Sequence, residues 1–134
     1  MHSIFELKTS IPYDHRIFDQ MRSKAIELLR NTEPLKYTQA IVLFSASGNE
    51  YSTVVPNACS EEKTAETALL EKLKASGDTK ITYALCMWYD QNVDIPSYSF
   101  RKMLTLLNSE NAESLLLVMT ANGTSALKLS ATMK

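Results

Sequence analysis

The sequence predicts an α/β protein: a three-layer α-β-α sandwich in which a mixed five-stranded sheet is flanked by three helices, its last two strands forming an antiparallel hairpin. Three observations carry this. Apolar residues recur at helical spacing in three segments, a nearly continuous β-rich apolar run lies between the second and third of them, and Asn122-Gly123 separates two short final strand patterns. The chain has 134 residues, 45% hydrophobic and 22% charged, which suits one domain over 1–134 with a real core and excludes low-complexity or disordered readings.

The first helix is expected over about 14–30. Ile17, Met21, Ala25, Leu28 and Leu29 draw one apolar stripe, and Asp14 after Pro12 supplies an N-cap. Glu33-Pro34 ends it. Gln39 to Phe44 and Tyr51 to Val55 then read as two strands joined by a short loop containing Gly48, a hairpin. Pro56 and Asn57 stop the second strand. Ser60, followed by Glu61 and Glu62, predicts a capped helix start where the dipole favours acids, and the helix runs to about Ala75 before Gly77 and Asp78.

Ile81 to Tyr89, ITYALCMWY, is apolar on both strand faces, as expected of a central strand covered from both sides. The loop DQNVDIP leads to a third helix, Ser97 to Asn108, with Phe100, Met103, Leu104 and Leu107 on one face. A right-handed crossover through this helix makes the strands before and after it parallel. Ser114 to Thr120 and Ser125 to Ser130 are the last strands, with Asn122-Gly123 predicting a type I′ turn.

Fourteen basic against fifteen acidic residues leave a net charge of −1, too weak a field to hold nucleic acid or an anionic membrane, and no basic run interleaved with aromatics suggests direct nucleic-acid readout. The amino terminus lacks a basic region followed by an apolar one, and no apolar stretch is long enough to span a bilayer, so a soluble, cytoplasmic protein is expected. Cys59 and Cys86 are too few for a disulfide scaffold or a cysteine metal cage, and are expected to be reduced and mostly buried. Phosphate-loop, dinucleotide, zincin and nucleophile-elbow motifs are all absent.

The element order, with one helix opening on Ala65-Glu66 and a later one after Pro96, resembles the cytidine deaminase-like superfamily over roughly 36–130. Its zinc-dependent members carry [HC]-A-E at the start of one helix and P-C-x-x-C at the start of the next. The corresponding segments here read Thr64-Ala65-Glu66 and Pro96-Ser97-Tyr98-Ser99-Phe100-Arg101. The final Asn-Gly hairpin is similar to the free-nucleoside branch, in which the last two strands are antiparallel. The resemblance implies that Glu66 matches the proton-shuttling glutamate and that Thr64, Ser97 and Phe100 occupy the three ligand positions.

Those three residues offer two neutral hydroxyls and a benzyl group where zinc needs imidazole or thiolate. Structural zinc binding worth roughly 10–16 kcal/mol in small peptides comes from such ligands, so no metal and no cofactor are expected. Without zinc nothing lowers the pKa of the attacking water toward neutrality, and hydrolytic deamination loses its nucleophile. The family's substrate-recognising asparagine has no clear match, since Asn57 stands closer to Glu66 than the motif places it.

Candidate pocket residues are therefore Thr64, Glu66, Trp88, Ser97 and Arg101, each with an ordinary alternative. Glu66 suits a surface position favouring the helix dipole, and Ser97 a plain N-cap. Arg101 suits a solvated residue or a partner for an anion or for Glu66, and Phe100 suits core. Trp88 and Tyr89, at the carboxyl end of a central strand, could stack on a ligand or pack as core. Cys59 before a helix could be reactive, but Glu61 and Glu62 oppose a thiolate. Cys86 is core, and His2 and His15 have no sequence-near partner for a metal or triad.

The first expectation is a catalytically inactive deaminase-like protein acting by self-association, as the resemblance implies a homo-oligomer, or through a protein partner. The alternative is a nucleoside- or nucleobase-binding module without chemistry. A zinc-independent hydrolase using Glu66 or Cys59 ranks third, because neither has an evident base or oxyanion partner.

Overall fold

In the computed structural model, residues 11–133 are described, so the expectation for His2 lies outside them. Their order is α1 (His15–Arg30), β1 (Gln39–Ser45), β2 (Glu50–Val55), α2 (Thr64–Ser76), β3 (Ile81–Trp88), β4 (Val93–Asp94), α3 (Tyr98–Leu107), a 3₁₀ turn (Ser109–Glu113), β5 (Leu115–Thr120), β6 (Gly123–Lys128) and a second 3₁₀ turn (Leu129–Thr132).

The strands lie in the order β2-β1-β3-β5-β6. β1 is antiparallel to both β2 and β3, β3 and β5 are parallel, and β5 and β6 are antiparallel. The mixed sheet, the parallel crossover pair and the final hairpin are thus those expected from sequence. A sixth short strand is not: β4 pairs antiparallel to β3 through Cys86 with Asp94 and Met87 with Val93. It occupies the edge of β3 beyond Leu85, the last residue paired with β5, and two residues are too few to show a periodic pattern.

The sheet is covered on both faces. Phe18, Met21, Ala25 and Leu29 of α1 pack on Ala40, Val42, Leu85 and Met87. On the other face Leu69, Leu70 and Leu73 of α2, with Phe100 and Leu104 of α3, pack on Ile41, Leu43, Ala84, Cys86 and Leu116. Double coverage explains why β3 reads as an unbroken apolar run. Each fully buried large side chain contributes about 1.5–3 kcal/mol of transfer free energy. Among the described residues no helix is long and apolar enough to cross a membrane.

Several boundaries differ from expectation. Asp14 caps α1 by accepting from Arg16 N at 2.9 Å, as predicted. The cap of α2 is instead Lys63, whose side chain makes no capping bond, while Ser60 Oγ accepts from Glu62 N in a turn before the helix. The β5–β6 hairpin turns on Ala121 and Asn122, since Thr120 pairs with Gly123. Of these four residues Gly123 alone has positive φ, so the turn is not type I′: the glycine's freedom is used one position after the turn.

Two polar anchors tie the far end of the sheet together. Asn111, fully buried, accepts from Ile81 N at 2.8 Å and donates to the carbonyls of Thr79 and Leu104, each at 2.9 Å. Asp78 accepts from Ser45 Oγ at 2.7 Å, Tyr51 OH at 2.9 Å and Asn49 Nδ2 at 3.1 Å. These bonds, Ser45's foremost, hold its carboxyl below the usual carboxylate range against the opposing effect of burial.

Candidate functional site

Pairing of Gln39 with both Val55 and Trp88 puts the carboxyl ends of β2 and β3 at one end of the sheet. The chain passes from there into α2 and α3, so both helix N-termini open at the end where α/β sheets place ligands.

On α3, Ser97 is the N-cap. Its Oγ accepts from Phe100 N at 3.2 Å and shares a hydrogen bond of the same length with Ser99 Oγ. Phe100 is 1% exposed, inside the apolar cluster beneath α2 and α3. Arg101 is buried rather than solvated: Nε donates to the Pro96 carbonyl at 2.9 Å and Nη1 to the Thr132 carbonyl at 2.7 Å, latching the carboxyl-terminal turn onto the start of α3. Its guanidinium also lies 5.7 Å from the ring centroid of exposed Tyr98. A cation in a helix's first turn is unfavourable to the dipole, and the two carbonyls account for its presence here.

On α2, Thr64 is exposed and Glu66 is not. Glu66 is 3% exposed, against the expectation of a surface acid. Its Oε2 lies 4.0 Å from Lys63 Nζ, while Oε1 is buried without a hydrogen-bond partner. Lys63 Nζ also donates to the Ala58 carbonyl at 3.3 Å, which draws it over the loop before the helix. Burial pushes the Cys86 thiol up, and the charges of Asp94 and Glu66 add to that rise.

Thr64 and Glu66 line a cleft of about 260 Å³ with Asn57, Ser60 and Glu62. Asn57 therefore reaches the same cleft despite its shortened spacing, with Oδ1 accepting from Cys59 N at 3.0 Å. Trp88 lines a separate cleft of about 230 Å³ with Tyr37, Cys59 and Tyr89. Trp88 is half-buried and Tyr89 exposed, so neither is fully core, and Cys59 is exposed, contrary to expectation. His15 is exposed, its ring centroid 4.5 Å from that of Tyr13. The placements of Tyr37 and Arg101 were hidden because each depends on a neighbour distant in sequence. The weak signal for Arg101 was a cation at a helix N-terminus.

The metal implied by the fold does not fit these residues. A capping hydroxyl, a core benzyl group and an exposed threonine stand at the three positions, and among the described residues no three His, Cys, Asp or Glu side chains cluster closely enough to hold an ion.

The fold is cytidine deaminase-like. The chain superposes on the crystal structure of cytidine deaminase from Mycobacterium leprae with a TM-score of 0.63 at 19% identity, covering 87% of this chain and 96% of that one. It superposes on the Bacillus anthracis enzyme with a TM-score of 0.63 at 15% identity, covering 88% and 89%. For the Mycobacterium tuberculosis enzyme the TM-score is 0.60 at 16% identity, covering 86% and 92%. No family model matches the chain. No curated protein matches it by sequence.

Proposed function

We propose that this chain is a deaminase-fold protein that neither holds zinc nor deaminates, and that acts by associating with a second copy of itself. The observation that carries the first half is Phe100: its ring is core where the fold's catalytic members place a metal ligand, and restoring a metal there means opening a cavity in the apolar cluster. Supporting the second half is an apolar groove between α2 and α3, lined by Leu70, Met103, Leu106 and Leu107, beside which Leu106 is 76% exposed. Glu71 and Lys74, 3.5 Å apart on α2, also line it, and such opposite charges would complement each other in a two-fold pair. Light scattering on tag-free protein tests this: a dimer or tetramer that Leu106→Glu dissociates is expected, and a monodisperse monomer contradicts it.

A second reading, a nucleoside- or nucleobase-binding module, is favoured by the unpartnered Glu66 Oε1 in a cleft with Asn57, Ser60 and Thr64. The cleft sits just below the usual small-molecule range of about 300–1,000 Å³, so it suits a base more than a larger ligand. Binding at about 100 times Kd adds about 2.7 kcal/mol of stability, so a thermal-shift screen in which no nucleoside or base raises the Tm contradicts this reading.

A further inference from the structure

We infer that the cleft of about 230 Å³ lined by Lys36, Tyr37, Cys59, Trp88, Tyr89 and Asp90 binds a small organic cation, a quaternary ammonium or alkylated amine. Three aromatic side chains share one concave surface at the sheet end, and two of them are open to solvent, Tyr37 at 44% and Tyr89 at 43% exposure. Ring faces carry negative quadrupole density, and a cation with an apolar shell gains from it while costing little dehydration. Two carboxylates reinforce the sign. Asp90 lines the cleft, and Asp94 Oδ2 accepts from Trp88 Nε1 at 3.4 Å, which ties down the indole edge. Carboxylates so placed repel phosphate, so an anionic ligand is disfavoured.

The chain already puts a cation there. Lys36 Nζ lies 5.5 Å from the Tyr37 ring centroid. Lys36 is thus an intramolecular competitor that an incoming cation must displace, and its charge opposes binding. This site does not depend on the association or nucleoside readings, since its aromatic residues line a cleft apart from that of Glu66.

The test uses the full chain and choline, with 3,3-dimethylbutan-1-ol as a neutral isostere of the same shape. Trp88 is the one tryptophan in the sequence, so its fluorescence reports the cleft directly. Choline should give a saturable change and bind roughly two- to fivefold tighter than the isostere, the range of an exposed cation–π contact. Lys36→Gln should tighten choline binding, and Tyr37→Leu, at an exposed position, should weaken it without lowering the Tm. Bound choline should also slow alkylation of Cys59, a readout independent of fluorescence. No saturable response in either the native chain or Lys36→Gln overturns the proposal. Equal binding of the isostere overturns it too, because the cleft would then be merely apolar.

Discussion

The backbone N–H of Phe100 donates to Ser97 Oγ at 3.2 Å, so the two positions on α3 that resemble metal-ligand positions are joined to each other: one caps the helix and the other is packed beneath it. A hydroxyl acting as a cap has turned one of its lone pairs to the helix, and a ring 1% exposed has no open side. Phe100→Ala should therefore cost about 3–5 kcal/mol in denaturant unfolding, and Ser97→Ala about 1 kcal/mol. A cost below 1 kcal/mol for Phe100→Ala would mean the ring fills a functional cavity and not core.

Arg101 ties the start of α3 to the turn after β6. Removing its two bonds to backbone carbonyls in Arg101→Met should destabilise the chain by roughly 2–3 kcal/mol and raise hydrogen exchange selectively in the Leu129–Thr132 turn. Uniform exchange with no change at that turn would show that the latch contributes nothing.

Asp78 should make the fold acid-sensitive. Its folded pKa lies below the ordinary value of 3.8, so its contribution is fully present above that value and is lost as pH falls through the folded pKa. Asp78→Ala should be less stable than the native chain at pH 7, and the difference between the two should narrow below pH about 4. Urea unfolding at a series of pH values checks it; a gap that stays constant to pH 2 would contradict the network.

The two cysteines should separate cleanly. Cys59 is exposed, while Cys86 is buried in β3 with its thiol pushed up by burial and by Asp94 and Glu66. A thiol reagent should titrate one cysteine per native chain and two in denaturant. Two fast thiols in the native chain would mean that β3 is open on the α2 face.

Much of the fold was legible because it rests on local periodicity: the stripe of α1, the apolar run of β3 and the paired strands all survive in the structure. What was not legible depends on tertiary contacts. The first-turn position of Glu66 predicts exposure by dipole alone, yet Glu66 is 3% exposed and Lys63 Nζ lies 4.0 Å from its carboxylate. Arg101 reads as solvated until the carboxyl-terminal turn arrives to accept its proton donors, and Tyr37 is unremarkable until Trp88 and Tyr89 come alongside. That Ser97 caps α3 and Phe100 lies in the core follows from local facts, a serine after proline and an apolar residue at helical spacing.

The proposal that this chain holds no zinc is best tested by zinc content, measured by mass spectrometry on tag-free native protein. Well under one zinc per chain is expected, even after incubation with the metal and desalting. One tightly held zinc per chain would contradict it, and would require ligands other than Thr64, Ser97 and Phe100.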